Sequence, residues 1–166
     1  MRFEKLQFNL LNKNEMVDKS KWLYLEALKR RSVREFSKKN VPLSVLKTLI
    51  KTATSAPSGA NKQPWHFVII KSKKLKKKIR IAAEKEEKVF YNRRATKEWK
   101  KDLDPFNVTW KKPFLEDAPS LIVVFKKIYN LEGKKKSKNY YVSESVGIAC
   151  GFLILAIQNA GFVCLP

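Results

Sequence analysis

The order of apolar patterns along the chain predicts a single α+β domain. Two short apolar runs rich in β-branched residues, WHFVII and SLIVVF, alternate with longer segments whose apolar residues recur at helical spacing. A chain of 166 residues, 44% of them apolar, is long enough for one domain with its own core and short for two. We therefore expect one domain over residues 1–166, in which residues 1–18 are poorly ordered.

The first half of the chain predicts two helices, a sharp turn and a strand, in that order. Apolar residues recur at helical spacing between positions 19 and 31, and again between positions 43 and 53, directly after Pro42. The segment APSGANKQP, which follows, concentrates proline, serine and glycine and is typical of a tight turn. WHFVII then predicts a buried strand, because it is short, apolar and bounded by Pro64 and by the polar KSKK.

The middle of the chain predicts a third helix, a loop and a second strand. The helix is expected from about Lys74 to Arg93, where apolar residues again follow helical spacing. Residues 97–119 show no clean periodicity and contain prolines, so we expect a long irregular loop of the kind that covers a binding site. SLIVVF predicts the second buried strand, and NLEGKKKSKN after it is typical of a turn.

The last apolar segment predicts a buried central helix from about residue 141 to 159. Ser143 or Ser145 is its candidate N-terminal cap, and Gly161 ends it. A membrane span is the less favoured interpretation, because polar residues interrupt the run and leave about thirteen apolar or small residues where about twenty are needed. FVCLP has the pattern of the start of a third strand, and we expect the fold to continue past residue 166.

Basic residues outnumber acidic ones by 36 to 15, which gives a formal net charge of +21. This excess points to polyanions, anionic membranes or phosphate-bearing ligands. The lysines are spread over every predicted element and the sequence carries no nucleic-acid-binding motif, so we expect only nonspecific, salt-sensitive binding to nucleic acid. Cys150 and Cys164 lie apart from any cluster of histidines or cysteines, which predicts reduced thiols, no disulfide and no metal site.

Three short segments carry residues that could bind a ligand. RRSVR, residues 30–34, groups three guanidinium groups with a hydroxyl, and either holds an anion or is solvated charge. The turn at residues 57–60 either lets a flat or sugar-bearing ligand approach its backbone and hydroxyl, or is an ordinary turn. Glu87 and Tyr91 share a helix face, and with Lys112 they either bind an amino acid zwitterion or form a surface ion-pair face.

Taken together, these segments resemble the iodotyrosine deiodinases of the nitroreductase superfamily. The resemblance covers about residues 25–163, and its motifs are RRSVREFS, TAPSGANKQPWHFVII, EEKVFY, TWKKPFLEDAPSLIVVF and KNYYVSESVGIACGFLILAIQNAGFV, in this order. It implies an FMN-dependent nitroreductase-like fold, with a mostly antiparallel sheet flanked by helices. The family continues beyond the position of residue 166 with threonines that contact the reactive flavin nitrogen, so no catalytic residue is expected within these 166 residues.

By this resemblance, two segments hold FMN and a third group holds the substrate. The first segment binds the phosphate and, through its last arginine, the pyrimidine side of the flavin ring; it comprises Arg30, Arg31, Ser32, Val33 and Arg34. The second lies along the cofactor and comprises Pro57, Ser58 and Gly59. The backbone at Gly59 and Ala60 meets the halogenated phenol, and the zwitterion of the halotyrosine is bound by Glu87, Tyr91 and Lys112.

The implied activity is reductive dehalogenation of mono- and diiodotyrosine to tyrosine and halide. The resemblance also implies a homodimer and an NADPH-dependent reductase, with NADPH as the ultimate electron donor. A general FMN-dependent nitro- or quinone reductase is the alternative enzyme, and a non-catalytic form with nonspecific polyanion binding is the alternative outside enzymes. The sequence shows neither a signal-peptide pattern nor the N-terminal membrane anchor of vertebrate members, so we expect a soluble, cytoplasmic chain without membrane insertion.

Overall fold

The computed structural model of the protein describes residues 5–133 and 135–166. In this part of the chain, helices alternate with two short antiparallel sheets. The helices are α1 (Lys13–Leu28), α2 (Leu43–Thr54), α3 (Lys73–Val89), α4 (Lys97–Leu103), α5 (Phe114–Asp117) and α6 (Val142–Asn159). The strands are β1 (Trp65–Ile70), β2 (Leu121–Lys126), β3 (Tyr129–Glu132) and β4 (Lys135–Lys138). The α+β prediction is therefore confirmed.

Helix α1 begins six residues earlier than the apolar pattern predicts and ends before the arginine cluster. The side chain of Asn12 accepts hydrogen bonds from the backbone N–H groups of Asn14 and Glu15, and Glu15 reaches back to the N–H of Asn12. This capping box fixes the helix start at Lys13. The predicted disorder of residues 1–18 stays a prediction, and its first four residues lie outside the described part of the chain.

The core lies between the pair α2 and α6 on one side and the sheet of β1 and β2 on the other. Ala53 of α2 and Ala149 of α6 are fully buried, and α2 packs against α6 along its length. Phe67 of β1 contacts both buried clusters, which joins the sheet to the helix pair. The prediction of α2 is confirmed, with Pro42 directly before its first turn.

The sheet of β1 and β2 is antiparallel, as predicted, but it is less buried than the sequence indicates. Its register pairs Trp65 with Lys126 and Ile70 with Leu121. The ends of β1 are buried, whereas His66 is exposed and the residues of β2 are half-buried or exposed. The face that carries Phe67 and Val124 packs on the helix pair, whereas the opposite face is covered at Ile70 and exposed at His66 and Phe125, which explains the difference.

The segment NLEGKKKSKN, predicted as a turn, forms the hairpin of β3 and β4. The hairpin turns at Gly133, whose φ of +62° favours glycine. Asn139 fixes its base: its backbone N–H donates to the carbonyl of Ile128, and its side-chain amide donates to the carbonyl of Lys127. The segment lacks the apolar alternation that predicts a strand, because lysines occupy both faces of an exposed hairpin.

The segment from residue 97 to 119 is more regular than predicted. Helix α3 ends at Val89 and is followed by a π-helical turn, Phe90–Arg94, in which Ala95 N–H donates to the carbonyl of Phe90. Thr96 then caps α4 through its side chain, and α5 forms directly before β2. The prediction of an irregular loop was wrong for these two helices, which are too short to show a hydrophobic period.

Helix α6 matches its predicted span, but neither predicted cap is used and only one face is buried. Tyr141, in the left-handed conformation, precedes its first residue without a side-chain cap, and Gly161 ends it with a φ of +77°. The helix is long and apolar enough to cross a membrane by length and composition, and only 22% of that window is buried. After it, the predicted third strand is reduced to a single parallel bridge between Cys164 and Ser32.

Candidate functional site

The structure brings Glu87, Tyr91 and Lys112 together, as the sequence predicts. Lys112 Nζ lies 3.0 Å from Glu87 Oε2, and only 14% of the Lys112 side chain is exposed. The Tyr91 hydroxyl donates a hydrogen bond of 3.2 Å to the carbonyl of Val108. One helix end and one loop therefore present a carboxylate, an ammonium and a phenol in a single half-buried cluster.

Arg34 belongs to the electrostatic environment of this cluster. Burial raises the pKa of Tyr91 above its ordinary value of 10.0, and the negative charge of Glu87 raises it further, while the positive charge of Arg34 lowers it. The last arginine of the predicted phosphate-binding segment thus lies close enough to act on the phenol. The phenol stays protonated at neutral pH and keeps its donor function.

The segment 30–34 contacts the C-terminal residues of the chain. Val33 N–H donates to the carbonyl of Cys164 at 3.4 Å, next to the bridge formed by Ser32. Burial raises the pKa of the Cys164 thiol, and the charge of Arg30 lowers it. The segment is therefore held in an extended form, with its guanidinium groups at the surface.

The three arginines differ in how far they are engaged. Arg31 donates to the carbonyls of Leu28 and Arg30 at 2.6 and 2.8 Å, so its guanidinium closes the end of α1. Arg30 and Arg34 are exposed and form no ion pair within the described part of the chain. These two guanidinium groups are consequently available to an anion, whereas Arg31 would have to leave the helix end.

The turn before β1 packs on the start of α6. A Cβ at Gly59 would lie 2.8 Å from the Tyr141 ring and 3.2 Å from the carbonyl of Tyr140, and the Gly59 N–H donates weakly to Ser145 Oγ at 3.4 Å. Ser58 Oγ accepts from the N–H of Gln63 at 2.9 Å. Glycine is thus favoured here by the Tyr141 ring and the Tyr140 carbonyl, and the serine hydroxyl closes the turn itself.

The same turn holds several non-glycine residues at positive φ. They follow Gly59 in the chain, and they are Ala60, Asn61 and Gln63, with φ values of 49°, 51° and 45°. Such a run is costly and is found where surrounding structure imposes it, often at ligand sites. No hydrogen bond or ion pair among the described residues joins this turn to the arginine segment 30–34. The binding of one flavin by both segments stays a prediction.

Several residues that support the cluster were missed from the sequence. Glu84, on α3, accepts a hydrogen bond of 2.9 Å from the backbone N–H of Lys112, and Lys88 lies 3.8 Å from the centre of the Trp110 ring. Their four-residue spacing on α3 was the available signal. Within the described residues, no group of three His, Cys, Asp or Glu side chains is placed to hold a metal ion.

Comparison with known proteins places this fold in one class. Residues 27–166 match the nitroreductase family. The chain belongs to this family, and both the nitroreductase-like fold and the enzyme class, flavin-dependent oxidoreductase, are confirmed.

Within the family, the chain is similar to iodotyrosine deiodinases. It is 55% identical to the iodotyrosine deiodinase of Haliscomenobacter hydrossis over 152 residues, which are 91% of this chain and 68% of that protein. It is 44% identical to human iodotyrosine deiodinase 1 over 150 residues, 90% of this chain and 52% of the human protein. The resemblance found in the motifs is therefore confirmed, and the chain spans between about half and two thirds of the length of these relatives.

A solved structure agrees with these sequence matches. The crystal structure of an oxidized iodotyrosine deiodinase bound to FMN and 3-iodo-L-tyrosine superposes with a TM-score of 0.74 and is 41% identical in sequence. The superposition covers 84% of this chain and 70% of that one. A BluB-like flavoprotein from Clostridium difficile 630 also superposes, with a TM-score of 0.61 and 29% identity.

Proposed function

We propose that this chain carries out the FMN-dependent reductive dehalogenation of halotyrosines. The reaction replaces a carbon–halogen bond by a carbon–hydrogen bond, using two electrons and one proton, and releases halide. The observation that carries the proposal is the cluster of Glu87, Tyr91 and Lys112, because it offers one partner for each charge of an amino acid. The similarity to a deiodinase solved with FMN and 3-iodo-L-tyrosine supports the same assignment.

The Glu87–Lys112 ion pair explains why a zwitterion suits this site. An amino acid brings an ammonium for Glu87 and a carboxylate for Lys112, so it exchanges one ion pair of 3.0 Å for two and leaves neither charge unpaired. A halophenol without the amino acid group would gain nothing from these residues. The cluster therefore favours halotyrosine over the nitroarenes and quinones of a general reductase.

The residues present fit FMN as the cofactor. Arg30 and Arg34 are exposed guanidinium groups suited to a phosphate and to the electron-rich edge of a flavin ring, with Ser32 and Val33 between them. Pro57, Ser58 and Gly59 would lie along the cofactor, and the strained backbone at Ala60 would meet the halogenated ring. When bound, FMN supplies the electrons, and these residues supply charge and shape.

The partners of the proposed enzyme are a second copy of the chain and an NADPH-dependent reductase, and we propose a cytoplasmic location. Exposed apolar residues on one face of α6, among them Ile148, Phe152 and Leu155, support the homodimer. The spread of lysines over all elements supports nonspecific binding to polyanions and no specific nucleic-acid partner.

The test of this function is binding of 3-iodo-L-tyrosine to the FMN-loaded chain, measured by the quenching of flavin fluorescence. We expect Lys112→Ala to weaken iodotyrosine binding at least about tenfold, because the carboxylate of the bound amino acid is left without a partner. Lys111→Ala is the matched control, since Lys111 is the exposed neighbour and lies 5.7 Å from the Trp110 ring centre.

Three outcomes would contradict the proposal. A chain that retains no FMN would not be a flavoenzyme. A chain that retains FMN but binds no iodotyrosine would not be a dehalogenase. Equal losses of iodotyrosine binding and nitroarene reduction in Lys112→Ala would favour the general nitro- or quinone reductase.

A further inference from the structure

A row of side chains on α3 contacts the loop that carries Lys112. The row follows four-residue spacing, so its members lie one above the other on a single helix face. Its members are Lys76, Arg80, Glu84 and Lys88. We call this row the α3 ladder.

The N-terminal half of the α3 ladder holds the end of the loop. Lys76 is 4% exposed, and its Nζ donates to the carbonyls of Glu116 and Ala118 at 2.8 and 2.5 Å. One turn further, Arg80 lies 3.1 Å from the Glu116 carboxylate. The α5 segment is thus fixed to α3 at two successive turns.

The C-terminal half of the α3 ladder holds the segment around Lys112. Glu84 accepts the backbone N–H of Lys112 at 2.9 Å, and Lys88 lies over the Trp110 ring. Tyr91, on the next turn, donates to the carbonyl of Val108. Later residues of α3 therefore contact earlier residues of the loop, so the loop runs antiparallel to α3.

Among the described contacts between α3 and this loop, Lys112 is the one loop residue that two α3 carboxylates bind. Glu84 binds its backbone, and Glu87, three residues later on the same helix, binds its side-chain ammonium. A hydrogen bond from a backbone N–H to a carboxylate is charge-assisted and stronger than a neutral one. The main chain at Lys112 is therefore fixed by a contact that no substrate needs to displace.

We propose that Glu84 is a positioning residue for halotyrosine binding, which acts by fixing the backbone of Lys112 so that its ammonium faces Glu87. This inference rests on the proposed function, in which Lys112 binds the substrate carboxylate. With the backbone fixed, the ammonium is already placed when the amino acid arrives, and less ordering accompanies binding. The residues proposed to bind FMN lie outside the α3 ladder, so we expect FMN binding to be unaffected.

The test compares Glu84→Ala, Glu84→Gln and the matched control Glu86→Ala. Glutamine keeps a side-chain oxygen that can accept the Lys112 N–H, whereas alanine does not. Glu86 lies on the same helix but pairs with exposed Arg94 instead of the loop. The readouts are amide hydrogen exchange at Lys112, the Kd for 3-iodo-L-tyrosine and the Kd for FMN.

We expect Glu84→Ala to speed exchange at Lys112 and to weaken iodotyrosine binding about tenfold, with FMN affinity unchanged. Glu84→Gln should restore most of the slow exchange at Lys112 and most of the iodotyrosine affinity. Glu86→Ala should resemble the unsubstituted protein in both measurements. The inference is overturned if Glu84→Ala leaves exchange at Lys112 unchanged, if it weakens FMN as much as iodotyrosine, or if glutamine rescues nothing. If the unsubstituted protein binds FMN but no iodotyrosine, the proposed function fails and this inference fails with it. If the unsubstituted protein and Glu84→Ala bind iodotyrosine equally well, the inference about Glu84 is overturned and the proposed function stands.

Discussion

Tyr91 is held in the candidate site by interactions that require its phenol to keep the proton. The hydroxyl donates to the carbonyl of Val108, and burial and Glu87 raise its pKa against the opposing effect of Arg34. A pKa raised in the folded state means that the unfolded chain releases the proton first as pH rises. The stabilisation is therefore present in full below about pH 10 and is lost as pH rises through the folded-state pKa.

Replacing Tyr91 by phenylalanine tests this linkage. We expect Tyr91→Phe to lower the free energy of unfolding by about 0.5–1.5 kcal/mol at neutral pH, the usual net value of one hydrogen bond. The variant should also lose stability less steeply above about pH 10, as measured by urea unfolding at several pH values. Tyr24→Phe, at an exposed phenol on α1, is the control. Identical pH dependence in both variants would contradict the assignment.

Among single residues, the sequence predicted the members of the substrate cluster better than the details of the turn. The spacing of Glu87 and Tyr91 on one helix face, together with the resemblance, was enough to group them with Lys112. The packing of Gly59 depends on Tyr140 and Tyr141, which lie some eighty residues later in the chain. No local pattern around the turn carries that information.

At the level of elements, α3 and the loop after α4 form one unit joined by the buried ammonium of Lys76. This group has two backbone carbonyls as partners, those of Glu116 and Ala118, and almost no access to water. Removing a charged donor from such a place leaves its acceptors buried without partners. The contact should therefore contribute to stability more than a surface lysine does.

Lys76→Met measures that contribution, because methionine keeps the length and apolar character of the stem. We expect the free energy of unfolding to fall by about 1.5–3 kcal/mol, the range for hydrogen bonds to charged groups. Lys77→Met, at the exposed neighbouring position, should change it by less than about 0.5 kcal/mol. Urea unfolding followed by tryptophan fluorescence gives both values. A similar small change in both variants would show that the ammonium is replaceable.

Elements with a clear apolar pattern were predictable from the sequence. Elements stabilised by single capping or polar contacts were not. Helix α2 and strand β1 follow their sequence patterns, since apolar residues on one face meet the core. Helices α4 and α5 and the hairpin of β3 and β4 have no such face. Helix α4 depends on its cap Thr96, α5 depends on Lys76 of the α3 ladder, and the hairpin depends on Asn139. Each of these is a polar contact that leaves no periodic pattern in the sequence.

At the level of the whole molecule, α6 divides the structure into a packed side and an open side. Val146, Ala149 and Leu153 face the core, whereas a Cβ added at Gly147 or Gly151 would meet no atom within 4 Å outside its own helix. Small residues between larger apolar ones allow a second helix to approach closely. The open side is therefore the surface on which we place the second copy of the proposed homodimer.

Gly151→Glu tests this surface without disturbing the packed side, because the new side chain points to open space in one subunit. In a homodimer it would bury two unpaired carboxylates, so we expect dimer dissociation to become at least about tenfold easier. Thr48→Glu adds the same charge at an exposed position of α2 and should leave the dimer intact. Sedimentation velocity over a range of concentrations measures both. If the unsubstituted chain sediments as a monomer throughout, or if both variants dissociate alike, α6 does not form the dimer interface.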